Sequence, residues 1–290
     1  MLIRESRIHR YHSKIKKILE LEHYRRNIIK INKDSSDEEI QEIVSYLKKE
    51  KAGFFCYSFA AAYDNYQEEV FFDTECGMNY LMRNDKRLYF PKQWKKEQII
   101  NYYRTLMAEQ DERSPHRYLT PELESRTYNT VIDIGAAEGI FALDMLEKAK
   151  RIVIFEADDK WLSPLEKTFE QYKEKVQIIP KFVSDFVDSE YTTLDKEFGT
   201  EKGIDLIKMD VEGAEVNAIR GAKSVLEANL EVVILACAYH YATEENEIRE
   251  ILSAYNVIPR HGYVLYHWPV GEMIQRPYLR RAVLEARKIR

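Results

Sequence analysis

Cysteine is scarce in this 290-residue chain: Cys56, Cys76 and Cys237 are the three, with no CxxC pair and no even framework. That argues against a disulfide-stapled secreted scaffold and a cysteine zinc site, and favours a reducing compartment. Glycine (10) and proline (8) are few, which excludes collagenous and low-complexity chains. Positive charge is not in excess, since 44 Lys plus Arg face 49 Asp plus Glu for a formal charge of -5. No whole-protein field draws in a phosphate backbone, so no nucleic-acid partner is expected. No uninterrupted apolar stretch approaches the ~20 residues that span a bilayer. The basic segment from Arg4 to Lys17 is not followed by the apolar run of a secretory signal. A cytoplasmic protein with no transmembrane segment is expected.

Aromatic residues are the abundant class, with 20 Tyr and 12 Phe, many in the first 120 residues. There the spacing of Ile15, Ile18, Leu19, Leu21, Tyr24, Ile28 and Ile29 predicts an amphipathic helix. A second helix is expected over 37–49, capped by Ser35 or Ser36, with Ile40, Ile43, Val44 and Leu47 on its buried face. The runs GFFCYSF (53–59), EVFFD (69–73), MNYLM (78–82) and KRLYF (86–90), separated by turn-formers such as Asn84-Asp85, read as an antiparallel meander. Helical spacing returns from Trp94 to Met107, and a polar stretch over 110–122 suggests a junction. Two parts are expected, 1–115 and 116–290. The first would serve acceptor binding or oligomerisation, and a homodimer is an open option. Its aromatic rings suit stacking on sugars, but a small meander also needs them as core.

Beyond residue 130 the texture changes. VIDIG (131–135), RIVIFE (151–156), VQIIP (176–180), IDLIKMD (204–210) and EVVILAC (231–237) are compact apolar strands that alternate with helical stretches. Strands buried on both faces read this way. The expected class is α/β, a Rossmann-like, doubly wound, mainly parallel sheet, beside a smaller N-terminal α+β region. GYVLYHW (262–268) and YLRRAVLEARK (278–288), with no helix between them, are expected to close it as an antiparallel pair.

The first of these strands runs into Asp133, Gly135, Ala136, Ala137, Glu138 and Gly139 and then a helix. A turn of small residues at a strand's C-terminal end lets a ligand approach the backbone. The second strand ends in Glu156, about 20 positions on, where a carboxylate can accept hydrogen bonds from both ribose hydroxyls. Together they point to a bound nucleoside. The D-x-G-x-x-x-G spacing departs from the GxGxxG of dinucleotide folds and resembles the first motif of S-adenosylmethionine-dependent methyltransferases. In KFVSD (181–185), Ser184 and Asp185 fall on the loop where such enzymes hold the adenine.

The segment TTLDKEFGTEKGIDLIKMDVEGAEVNAIRGA (192–222), above all KMDVEGAE, resembles the signature of the FkbM-type methyltransferases. The resemblance covers about residues 115–288, with VIDIGAAEG, IFEADD, FVSD and KMDVEGAE in order. It implies a class I fold, S-adenosylmethionine as cofactor and O-methylation of a sugar or secondary-metabolite hydroxyl. SPHRYL (114–119), CAYH and PYLRR also look like a bacterial branch linked to surface polysaccharide, which implies a carbohydrate or small-molecule acceptor. One departure is LACAYHY, where Ala236 and Cys237 stand in place of an acid that the family often has.

An alcohol needs a base beside the methyl. His240, just past the fifth strand, is the candidate, because a neutral imidazole takes a proton near pH 7. Asp210 would orient it or face the methionyl amine, Glu212 would bind acceptor hydroxyls, and His116 would reach over from the junction to the substrate. Asp133, Gly135, Ala136, Gly139, Glu156, Ser184, Asp185 and Asp210 form the expected cofactor set. A metal is not expected, although Asp210, Glu212 and His240 would make an oxygen-rich set suited to Mg²⁺ or Mn²⁺. The competing reading is a non-catalytic Rossmann-like scaffold that binds a glycan-assembly partner.

Overall fold

The computed structural model describes residues 2–266 and 276–289, with side chains from residue 17 onward. In chain order the helices are α1 (Leu2–Ile31), α2 (Glu38–Leu47), a 3-10 turn (Ser58–Tyr63), α3 (Lys96–Glu109), α4 (Pro121–Ser125), α5 (Ile140–Met145), α6 (Asp159–Thr168), α7 (Leu194–Phe198), α8 (Glu215–Arg220), α9 (Lys223–Ala228) and α10 (Glu244–Ile251). The strands are β1 (Phe71–Asp73), β2 (Met78–Arg83), β3 (Lys86–Tyr89), β4 (Tyr128–Ile134), β5 (Ala149–Phe155), β6 (Val176–Ile179), β7 (Phe182–Val183), β8 (Tyr191–Thr192), β9 (Ile204–Met209), β10 (Val233–Cys237), β11 (Tyr255–Pro259), β12 (Val264–Leu265), β13 (Leu279–Arg280) and β14 (Val283–Lys288).

The main sheet has seven strands in the order β11-β14-β10-β9-β4-β5-β6. β6, β5, β4, β9 and β10 run parallel, and β14 lies antiparallel between β10 and β11. This is the expected Rossmann-like, doubly wound sheet with an antiparallel closing strand. The order in which successive strands are added reverses between β4 and β9, and the crevice outside their carboxyl ends is where such sheets hold ligands.

Alternation along each strand divides the core in two. Val131, Ile152, Ile154, Leu206, Val233 and Leu235 pack on the face that carries α5 and α6, in one cluster that continues into Tyr24, Ile43, Leu81, Phe90 and Tyr103 of the N-terminal region. Ile132, Val153, Phe155, Ile207 and Ile234 pack on the opposite face, with α8, α9 and α10. A period of two puts neighbouring residues on opposite faces. Asp133 and Lys208 are register partners, so both project toward the face shared with the N-terminal region.

Several expectations are corrected. α1 extends well before residue 15, and Ile18 and Leu19 are exposed rather than on its buried face. The cap of α2 is Asp37, not Ser35 or Ser36, because its carboxylate reaches the backbone N–H groups of Glu39 and Ile40. Of the four runs read as a meander, three form β1-β2-β3, turned at Asn84 and Asp85, both with positive φ. The fourth, GFFCYSF, is no strand: it enters the 3-10 turn and buries Phe55, Tyr57 and Phe59. Among the described residues GYVLYHW pairs with YLRRAVLEARK as strands through the short β12 and β13, and His267 and Trp268 lie outside the described residues. The partner that β14 takes on its outer side is β11, whose Tyr255–Pro259 carries little apolar signal because it sits at the sheet edge.

Asp37 also accepts a hydrogen bond from Tyr263 Oη at 2.8 Å, joining α2 to the C-terminal part of the chain. Asp37→Ala is expected to lower the unfolding free energy by about 1–2 kcal/mol, the usual cost of deleting a cap. Urea denaturation measures it, and an unchanged midpoint would refute the capping role.

Candidate functional site

At the end of β4 the chain turns through Gly135 (φ 72), Ala137 (φ 47) and Gly139 (φ 85). A Cβ on Gly135 would stand 2.0 Å from the carbonyl oxygen of Asp210, so only glycine lets the ends of β4 and β9 come this close. Glu156, at the end of β5, accepts the N–H of Ala137 and that of Asp158, both at 2.8 Å. It thus braces the loop from below. Gly221 serves a similar purpose, since a Cβ there would lie 2.0 Å from the Ser184 carbonyl oxygen.

Above the crevice is a cavity of about 1070 Å³. Gly135, Ala136, Ala137 and Glu138 form one side, and Asp210, Glu212, Tyr239 and His240 another. The N-terminal region and junction close it with Phe54, Tyr102, Glu109, His116 and Tyr118. Two non-glycine residues with positive φ, Ala137 and Glu212 (φ 54), both lie on this cavity. Such backbone strain persists where surrounding structure holds it, and it clusters at functional sites.

At the base of the cavity, which Lys208 also lines, its ammonium lies 3.0 Å from Asp133 Oδ1, with side chains 5% and 0% exposed. The same Nζ donates to the Gly135 carbonyl at 2.7 Å and sits 5.3 Å from the centre of the Tyr118 ring. Burial disfavours the ammonium, but the charges of Asp133 and Asp210 outweigh it and raise its pKa. Burial likewise raises Asp133. For Asp210, burial is offset by Lys208, His240 and His116, and its pKa falls to about 2. Tyr118 Oη donates to Asp210 Oδ2 at 2.7 Å.

His240 is 6% exposed. Its Nε2 faces Asp210 Oδ1 at 3.6 Å and Glu212 Oε2 at 3.7 Å, and its Nδ1 faces Glu215 Oε1 at 3.3 Å and Glu244 Oε2 at 3.6 Å. Burial alone would lower its pKa, but Glu215 and Glu244 reverse that and raise it well above the ordinary imidazole value. The surrounding carboxylates thus favour the protonated form of the ring, whereas the base expected from the sequence is a neutral imidazole. Glu215, buried, is pushed up to about 7. Glu138, also buried, is pushed up to about 7 and accepts a hydrogen bond from Tyr102 Oη at 2.6 Å. Burial lowers His116 to about 4, and its Nε2 lies 3.2 Å from Tyr239 Oη.

Of the residues expected at the site, Gly135, Ala136, His116, Asp210, Glu212 and His240 line the cavity together. Asp133 lies under the floor against Lys208. Gly139 lies against α6, where a Cβ would meet Leu165 Cδ2 at 2.6 Å. Glu156, Ser184 and the exposed Asp185 stand outside the cavity lining, with Ser184 Oγ 3.4 Å from Asp185 Oδ1. Lys208, Glu215, Glu244, Glu109, Tyr102 and Tyr118 were not among the expected residues. A lysine inside the apolar strand IDLIKMD was the one clear signal for Lys208, since a buried ammonium requires a partner.

Residues 155–265 match the family model described as the methyltransferase FkbM domain. Among solved structures, the chain is similar to a methyltransferase FkbM from Methylobacillus flagellatus, with 19% identity and a TM-score of 0.40 over 65% of this chain and 52% of that one. The match therefore spans about half the length of that protein. A precorrin-6y C5,15-methyltransferase from Geobacter metallireducens is 15% identical, with a TM-score of 0.38 over 59% of this chain and 92% of that one. A ribosomal protein L11 methylase from Lactobacillus delbrueckii subsp. bulgaricus is 14% identical, with a TM-score of 0.38 over 58% and 74%. No curated protein matches the sequence. Among the described residues, no helix is long and apolar enough to cross a membrane.

Proposed function

We propose that this chain, which carries the FkbM methyltransferase match over residues 155–265, transfers a methyl group from S-adenosylmethionine to a hydroxyl of a sugar or surface-polysaccharide precursor. The observation that carries the reading is the single cavity that joins the glycine loop at 135–138 to Asp210, Glu212 and His240. Its lining suits the cofactor: Glu109, Glu138, Asp210 and Glu212 are carboxylates, while the charge of Lys208 is held by Asp133. An acidic chamber of this kind complements a sulfonium and an α-ammonium. When bound, S-adenosylmethionine supplies an electrophilic methyl, leaving the protein mainly to align the acceptor in line with it.

The residues divide by position. Gly135, Ala136 and Gly139 shape the loop, Asp133 anchors Lys208 beneath it, and Glu156 takes the ribose hydroxyls. Ser184 and Asp185 take the adenine, and Asp210 faces the methionyl amine. On the acceptor side, Glu212 and His116 bind hydroxyls, and the acid–imidazole cluster around His240 receives the hydroxyl's proton. The part spanning 1–115 contributes Phe54, Tyr102 and Glu109 to the cavity wall and so governs which acceptor fits.

Calorimetry with S-adenosylhomocysteine and with NAD tests this reading, and failure to bind the former would sink it. A methyl-donor consumption screen over nucleotide sugars and oligosaccharides, with and without divalent metal, tests the acceptor class. Glu156→Ala is expected to weaken S-adenosylhomocysteine binding about 10–100-fold, the scale of losing hydrogen bonds to a charged acceptor. An unaltered dissociation constant would refute the ribose role.

A further inference from the structure

The carboxylates around His240 are too numerous for one imidazole. Asp210, Glu212, Glu215 and Glu244 all come within 3.7 Å of its two ring nitrogens. The side chains of Glu215 and Glu244 are 0% and 2% exposed, so solvent does not dilute their charge. None of the four contacts is a good hydrogen bond. Both nitrogens of His240, together with Glu215 Oε2 and Glu244 Oε1, are buried without a hydrogen-bond partner. The other oxygens are committed to backbone: Glu215 Oε1 accepts the N–H of Val211 at 2.9 Å, and Glu244 Oε2 accepts that of His240 at 2.8 Å. Arg280 holds the same stretch from the far side, donating to the carbonyls of Tyr239 and His240 at 2.7 and 2.9 Å. Donor atoms fixed in place but left unpaired are what a bound cation requires, since buried polar groups are otherwise satisfied.

We propose that Asp210, Glu215 and His240 form a binding site for one divalent cation of the Mn²⁺ type, at the acceptor end of the cavity. One ligand atom from each lies within 4.8 Å of the others. Ligands about 2.1 Å from an octahedral ion stand about 3.0 Å apart at adjacent corners and about 4.2 Å apart at opposite ones. With Nε2 as the ligand nitrogen, Asp210 Oδ1 at 3.6 Å needs only a small contraction, whereas Glu215, whose 3.3 Å contact is to the other ring nitrogen, closes on the same ion by turning its unpaired Oε2 toward it. Two carboxylates with one imidazole suit Mn²⁺, because Mg²⁺ and Ca²⁺ favour all-oxygen sets and the softer ions favour thiolate or several imidazoles. Glu244 backs Nδ1 from behind, as the outer carboxylate of a metal-bound histidine commonly does. Asp210 and His240 line the cavity, so the cation faces whatever occupies it. There it would act as a Lewis acid on the acceptor hydroxyl: the O–H proton passes to Glu212, and the oxygen takes the methyl as the carbon–sulfur bond breaks.

A second set, His116, Asp210 and Cys237, also falls within reach of one ion. It is the weaker candidate because His116 Nε2 already meets Tyr239 Oη and Cys237 Sγ meets Tyr118 Oη.

The inference rests on the methyl-transfer reading for the use of the cation, not for its binding. The test is therefore a titration of EDTA-treated full-length protein with MnCl₂ alone, following the free Mn²⁺ signal by electron paramagnetic resonance. One Mn²⁺ per chain is expected to bind, Glu215→Gln and His240→Gln should each weaken it by at least about tenfold, and Cys237→Ala should leave it unchanged. Nitrogen coupling from one imidazole should appear on the Mn²⁺ of the wild-type protein, a readout that does not depend on any variant folding. Absence of binding, absence of that coupling, or loss in Cys237→Ala with none in Glu215→Gln would overturn the site. Failure to bind S-adenosylhomocysteine would sink the methyl-transfer reading and leave the Mn²⁺ result standing.

Discussion

His240→Ala is expected to lower methyl-transfer turnover about 10²–10⁴-fold, the range for loss of a group that handles a transferred proton, while the S-adenosylhomocysteine dissociation constant stays unchanged. The separation follows from geometry. The imidazole stands at the end of β10 with Nε2 toward Asp210 and Glu212, on the acceptor side of the proposed methyl. The glycine loop belongs to the end of β4. The backbone at 240 is held independently of the ring, by Arg280 on its carbonyl and Glu244 on its N–H. Removing the ring therefore deletes the centre of the cluster without displacing the chain around it. The measurement is steady-state turnover with the acceptor found in the screen, beside calorimetry on the same variant. Unchanged turnover would reduce His240 to a counter-charge for Glu215 and Glu244.

The largest effect on stability is expected from Lys208→Met, at about 3–5 kcal/mol, because removing one partner of a buried ion pair leaves the other uncompensated. Asp133 is wholly buried and Lys208 nearly so, so the ammonium is the charge that compensates the carboxylate. Two further contacts go with it, the hydrogen bond to the Gly135 carbonyl and the cation over Tyr118, so the floor of the cavity loosens as the fold weakens. At about 2 °C for each kcal/mol in a chain of this size, thermal unfolding should fall by about 6–10 °C. Adding Asp133→Leu to Lys208→Met should recover much of the loss, since an apolar pair can replace a buried ion pair. A single variant as stable as the wild type would show that Asp133 is neutral in the folded state without its partner.

The α/β alternation was legible because strands buried on both faces are continuous apolar runs, and β4, β5, β6, β9 and β10 all arise where such runs stand. β11 was missed for the complementary reason: an edge strand has one neighbour and alternates polar with apolar. The site residues that could be read, Gly135, Ala136, Asp210, Glu212 and His240, sit in short motifs at strand ends, and a parallel sheet brings those ends to one side. His116 came from a less specific signal, its place in SPHRYL at the junction. Glu215 and Glu244 were in plain view, but an acid in the first turn of a helix ordinarily faces water. Only packing shows that these two turn inward against an imidazole.

What the sequence determined by itself was local and periodic: the parallel sheet, the small-residue loop after its first strand, the carboxylate ending its second, and the scarcity of cysteine that set disulfides aside. Each of these depends on residues close in the chain. The tertiary structure alone decided that Asp133 and Lys208 share one face of adjacent strands, that four carboxylates converge on His240, and that Phe54, Tyr102 and Tyr118 close the cavity. Those pairings join residues on separate elements, 75 positions apart for Asp133 and Lys208, and their energies depend on burial: a charge in water costs little, whereas the same charge inside must be matched.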